Sequence, residues 1–167
     1  MLKTIWGERH QPEAVLTEYP RPQFRWDSYW NLNGVWEYAI TESDVQPETF
    51  DGTIIVPFSP EAPLSGVGRA LRPRQFLWYR KRVTLPEGFV KARTLLHFGA
   101  VDQEAAVFVN GEQLAHHIGG YLPFSCDVTD ALHGGRDLTV VVCVRDVTEE
   151  SYHARGKQKT ARGGIWY

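Results

Sequence analysis

Two stretches of the 167-residue chain gather the side chains with the best claim to chemistry. In GGYLPFSCDVTD, residues 119–130, Asp127 stands between an aromatic-rich loop and a strand-like run, where a carboxylate serves as a turn-former, a surface charge or a ligand contact. In SYHARGKQKTARGG, residues 151–164, a long Gly-punctuated loop carries Arg155, Lys157 and Gln158, which can donate to hydroxyls or carboxylates or simply stand in solvent. Nucleophilic and phosphate-binding machinery is missing from the sequence: there is no GxSxG elbow, no HExxH, no GxxxxGK[ST] and no GxGxxG opening a helix. Paired-carboxyl hydrolysis needs two groups about 5 to 9.5 Å apart, one protonated and one ionised. The chain has twenty Asp and Glu residues, yet their spacing nominates no pair, and the adjacent Glu149 and Glu150 read as solvated. His116 and His117 alternate on one strand, so only one can point inward, which fits a structural role.

A third cluster, RALRPRQFLWYRKR (residues 69–82), interleaves Arg69, Arg72, Arg74, Arg80, Lys81 and Arg82 with aromatics. Cations and aromatics so mixed can hold single-stranded nucleic acid or an anionic sugar polymer. Strand alternation offers a plainer account, with Trp78, Arg80 and Arg82 on one half-exposed face and Tyr79, Val83 and Leu85 on the other. A net charge of −2 also argues against nucleic acid as a partner. No apolar run approaches the ~18 residues of a membrane span, and MLKTIWGERHQPE has no apolar leader segment, so a cytoplasmic location is expected. Cys126 and Cys143 both fall in strand-like runs outside any CxxC or His-rich cluster; they read as two buried free thiols, and neither metal nor cofactor is expected.

The elements that must position these residues are short strands. GVWEYAI, TIIVPF, FLWYRKRVTL, ARTLLHFG, AAVFVN, EQLAHHI and RDLTVVVCVRD alternate with Gly, Pro, Asn and Asp, and nothing resembles a long helix. In the last run Leu138, Val140, Val142 and Val144 share one face while Val141 and Cys143 occupy the other, the pattern of a central strand covered on both sides. Asn110-Gly111 in AVFVNGEQLA supplies the two residues tolerant of positive φ that a type I′ hairpin requires. Residues 1–27, with Pro12, Pro20 and Pro22 and no sustained period, read as an extended arm. Residues 28–167 then form one domain, an all-β jelly-roll sandwich.

Taken in order, NLNGVWEY, IIVPFSPEAPLSG, WYRKRVTLP, LLHFGAVDQEAAVFVNGE, GGYLPFSCDVTDAL, LTVVVCVRD, RGKQ and GGIWY resemble the amino-terminal sugar-binding domain of glycoside hydrolase family 2, the β-galactosidase and β-glucuronidase group. The resemblance runs from Asn31 to Tyr167, most of the chain. It implies a galactose-binding-domain-like jelly roll, followed in family members by an immunoglobulin-like domain and a (β/α)₈ barrel that carries both catalytic glutamates. These 167 residues contain no Asn-Glu step, the family's acid/base signature, so the isolated chain is expected to be inert. Its implied partners are those two domains and a β-glycoside held jointly with the barrel, within a parent that forms a homo-oligomer.

In the family, the aspartate of GGYxPFxxDVT can reach the mouth of the active site, and Asp127 is the matching position. A carboxylate suits that place because it can accept from two neighbouring sugar hydroxyls. The alternative is that Asp127 begins a turn into DVTDAL. Tyr121 and Phe124 either wall that loop or fill the core, and Arg74 matches a loop from which some family members send a polar residue to the site. An autonomous carbohydrate-binding module, with Trp78 stacking on sugar faces, is the rival to the accessory-domain reading.

Overall fold

The computed structural model describes residues 3–18, 22–24, 26–147 and 163–166. Among the described residues ten strands are present: β1 Gly34–Thr41, β2 Gly52–Val56, β3 Phe76–Thr84, β4 Leu95–Phe98, β5 Val101–Asp102, β6 Glu104–Val109, β7 Glu112–Ile118, β8 Phe124–Asp127, β9 Asp137–Arg145 and β10 Gly164–Ile165. Helical structure among these residues is one α turn, Ile5–Glu8, capped by the Thr4 hydroxyl, and three 3₁₀ turns.

Six strands form one antiparallel sheet in the order β2-β1-β3-β9-β6-β7. The opposite layer is built from two small antiparallel pairs, β4–β8 and β5–β10. β9 lies in the middle of the large sheet, as its two apolar faces require. Leu138, Val140, Val142 and Val144 point into the main core with Trp36, Ile54, Leu77, Tyr79, Val107 and Val109. Leu96, Phe98, Cys126, Val128 and Leu132 close that core from the opposite layer. The fold is thus a jelly-roll sandwich, each layer burying the alternate residues of its strands.

The β6–β7 hairpin turns at Asn110 and Gly111, with φ of 50° and 93° as a type I′ turn demands. Asn110 also ties the hairpin down: its amide donates to the carbonyls of Ala131 and Asp137, and its side-chain oxygen accepts from the Thr139 amide. The amino-terminal segment crosses the sheet at Gly34, where a Cβ would stand 2.9 Å from the Pro12 carbonyl.

One expectation fails on the outer face of the large sheet. Trp78 is 1% exposed, not half-exposed. It forms a second small core with Ala39, Val141 and Cys143, roofed by Phe50, Phe76 and Phe108, and its indole N–H donates to the Thr41 hydroxyl at 3.0 Å. Alternation along β3 places Trp78 opposite Tyr79, but only the aromatics brought across from β6 and from the loop before β2 bury it. Both cysteines are free and buried. Burial pushes their thiols up, Cys143 to about 12 with help from the charges of Asp44 and Glu104.

Candidate functional site

Antiparallel registers put Thr41, Phe76, Arg145, Glu104 and Ile118 in one row across the large sheet. Beyond that row the loops of one end of the sandwich gather. Gly119 N–H donates to the Gln103 carbonyl at 2.8 Å, and Trp166 N–H donates to the Ala100 carbonyl at 3.0 Å, so the GGYLPF loop and the GGIW segment lie on either side of β5. Tyr121 and Trp166 meet there with ring centroids 6.2 Å apart in an edge-to-face arrangement. Tyr121 is 58% exposed, so it is a surface aromatic and not a core one. Phe124 packs inward between Phe98 and His117, stacked at 5.0 and 4.3 Å.

Beneath this aromatic pair two carboxylates are buried, Asp102 and Asp146. A Cβ on Gly120 would collide with the Asp102 carboxylate, and one on Gly163 would stand 2.8 Å from both the Asp102 carbonyl oxygen and the Asp146 Cβ. Glycine at these positions lets two backbone segments close over the acids. Tyr79 completes the base: its hydroxyl accepts from the Ile165 amide at 3.3 Å, and burial holds its pKa above the usual phenol range. Neither Asp102 nor Asp146 is conspicuous in the sequence. The available signal is a carboxylate set inside or directly after an apolar run, FGAVDQEAAVF and VVVCVRD, where alternation forces burial.

The expected site residues do not all meet. Arg74 is exposed in the turn entering β3, at the same end as Tyr121. Asp127 ends β8, three residues past Phe124 and so about 10 Å along the strand, on the side that leads to Val128 and Thr129. Its Oδ1 accepts from the Thr129 amide at 3.0 Å and from the Thr129 hydroxyl, and Oδ2 accepts from Arg93 Nε at 2.9 Å. These bonds, the hydroxyl's first, hold the Asp127 pKa down at about 2. The turn-forming alternative is therefore realised in the geometry, with the side chain still 39% exposed. Arg155, Lys157 and Gln158 lie outside the described residues, as do Glu149 and Glu150. Among the described residues no three His, Cys, Asp or Glu side chains gather as metal ligands.

Residues 70–165 match the sequence family described as glycosyl hydrolases family 2, sugar binding domain. The chain belongs to this family. Over 84 residues, 50% of the chain, it is 33% identical to a β-glucuronidase of Paenibacillus borealis; over 120 residues, 62% of the chain, it is 28% identical to the β-glucuronidase of Felis catus. The matched stretches make up only 14% and 18% of those two proteins. A solved β-glucuronidase of Faecalibacterium prausnitzii superposes with a TM-score of 0.56 at 29% identity, covering 70% of this chain and 20% of that one. As a family 2 sugar-binding domain the chain contains the segments that build the loop end, since the matched residues run from the turn before β3 through β10.

Proposed function

We propose that the domain serves as the accessory wall of a retaining β-glycosidase of the β-glucuronidase and β-galactosidase type. The single observation that carries this reading is the family match across the segments forming the loop end. There Tyr121 and Trp166 present aromatic surface over a base of buried carboxylates. An aromatic pair on a rigid frame suits contact with one face of a sugar, because it offers apolar area with little side-chain entropy to lose. Arg74, exposed at the same end, supplies a donor to hydroxyl or carboxylate oxygens.

In this reading the reaction takes place on a barrel elsewhere in the parent polypeptide, with one carboxyl group protonating the leaving oxygen and a second attacking the anomeric carbon. This domain's part is to brace that barrel and narrow its pocket. Asp127 contributes from the flank of the sandwich; its carboxylate stays ionised and exposed, and a carboxylate has more acceptor sites than the three bonds it makes here. Two buried thiols fit a reducing compartment such as the cytoplasm. Trp78, being buried, offers no platform for a free-standing sugar-binding module.

The test is hydrolysis of 4-nitrophenyl β-D-glucuronide and β-D-galactoside by the full encoded polypeptide and by the 167-residue chain alone. Activity in the first and none in the second is expected, and Tyr121→Ala in the full polypeptide should raise KM with Tm unchanged. Asp127→Asn keeps an oxygen for Thr129 while removing the charge, so reduced turnover at unchanged Tm would establish its sugar contact. Hydrolysis by the 167-residue chain on its own, or an inactive full polypeptide, would refute the accessory-wall reading.

A further inference from the structure

A cavity of about 370 Å³ opens at a fork in the large sheet, lined by both β1 and β3. The ladder between these strands runs from the pair Thr41–Phe76 to the pair Glu37–Arg80 and stops there. Past that point β1 follows β2 to Gly34, while β3 follows β9 to Thr84. Strands that follow different neighbours in a twisted sheet diverge, and their facing edges are left without ladder partners. Lys81 spans part of the gap, its Nζ donating to the Val35 carbonyl at 2.9 Å and lying 5.7 Å from the Trp36 ring centroid.

The charge at the fork is lopsided. Glu37 accepts two bonds from Arg80, at 2.6 and 2.7 Å, and one from Nη1 of Arg82 at 3.1 Å. One carboxylate thus faces two guanidiniums. Arg80 is committed to Glu37, and its guanidinium carbon lies over Phe50, 3.9 Å from the ring centroid. Arg82 is different: its side chain is 58% exposed, and the Nη1 bond is its only hydrogen bond among the described residues. The Nε–Nη2 edge is left free, and its two parallel N–H groups match the two oxygens of a carboxylate. Val35, on the same face of β1 as Glu37, supplies apolar wall beside it, and Thr53 a hydroxyl.

We propose that this fork is a second carbohydrate site, one that takes a sugar bearing a carboxylate. The acid group pairs with the free edge of Arg82, and the ring lies against Val35. A few convergent donors in a mainly apolar hollow of this size are what a small polar ligand needs. The inference rests on the proposed function for the class of ligand alone; the site shares no residue with the Tyr121 end.

The experiment titrates the ¹⁵N-labelled 167-residue chain with methyl β-D-glucuronide, with methyl β-D-glucoside and sodium acetate as parallel arms. The glucuronide should shift the amides of Val35, Thr53, Arg82 and Val83, saturating with a Kd of about 1 mM. Arg82→Ala should weaken it about tenfold, and Arg82→Lys should be intermediate because it keeps the charge without the fork. Retained amide dispersion checks that both variants fold. Equal binding of the glucoside or of acetate would overturn the proposal, as would an unchanged Kd in Arg82→Ala. Shifts confined to residues near Tyr121 would overturn it while leaving the accessory-wall reading intact; loss of hydrolysis by the full polypeptide, with the fork still binding, would do the reverse.

Discussion

Gly163→Ala tests how the end of the sandwich is closed. A Cβ there would lie 2.8 Å from the Asp102 carbonyl oxygen and 2.8 Å from the Asp146 Cβ, where ordinary contact begins at 3.4 Å. Neither neighbour is the free end of a flexible side chain, so the segment must withdraw by roughly 0.6 Å, the gap between those two distances. Gly163 does not occupy the left-handed region, which leaves steric crowding as the cause and not backbone preference. Among the described residues β10 is held by two residue pairs, Gly164–Asp102 and Ile165–Val101, together with the Tyr79 hydroxyl and the Trp166 amide. Overpacking of this kind costs about 1–3 kcal/mol, and loosening one of those hydrogen bonds adds about 1 kcal/mol, for a total of about 2–4 kcal/mol. At about 2–4 °C per kcal/mol for a chain of this size, Tm should fall by roughly 5–15 °C. Thermal unfolding followed by circular dichroism, paired with urea melts, measures the shift. A Tm within about 1 °C of the parent chain, well below the shift expected from overpacking, would mean that GGIW is not seated over Asp102 and Asp146, and the geometry assigned to the loop end would be wrong.

Three further outcomes are expected. The Asp127 carboxyl should titrate at about 2 by carbon NMR, and Thr129→Val should raise that midpoint because the Thr129 hydroxyl is its largest cause. A carboxyl depressed by folding contributes stability that is full above its unfolded value of 3.8 and lost as pH falls through 2; a midpoint near 3.8 would show that the turn is not formed. Trp78→Ala should destabilise by about 3–5 kcal/mol in urea melts, as for a fully buried aromatic, whereas a loss below ~0.5 kcal/mol would return Trp78 to the surface. Cys126 and Cys143 should both resist a thiol reagent in the native chain and both react in guanidinium, because burial withholds the thiolate; rapid native labelling would refute their placement.

Much of the fold is legible in the sequence because most strands announce themselves. FLWYRKRVTL, EQLAHHI and RDLTVVVCVRD have their faces set by a period of two, and they become β3, β7 and β9. The two-residue strands β5 and β10 have no period to read, since two residues cannot alternate. Trp78 shows the limit of a face assignment: alternation separates it from Tyr79 but does not say what covers it, and Phe50 and Phe108 come from distant segments. At the site, the aromatic loop and the GGIWY end are visible as motifs. Their meeting over Asp102 and Asp146 rests on Gly120 and Gly163, whose close contacts come from segments far away in the chain.

By itself the sequence determined the strand inventory, the type I′ turn at Asn110-Gly111, the central position of β9 and the membership of a carbohydrate-binding family, because each is written in local alternation, turn chemistry or an ordered set of motifs. Tertiary structure alone decided that Tyr121 faces outward beside Trp166, that Asp127 is paired with Arg93, and that Arg82 keeps a free edge at the fork between β1 and β3. The physical reason is the same in each case. Exposure and the sharing of hydrogen bonds are properties of what packs against a residue, and the partners here lie 34 to 45 positions away along the chain.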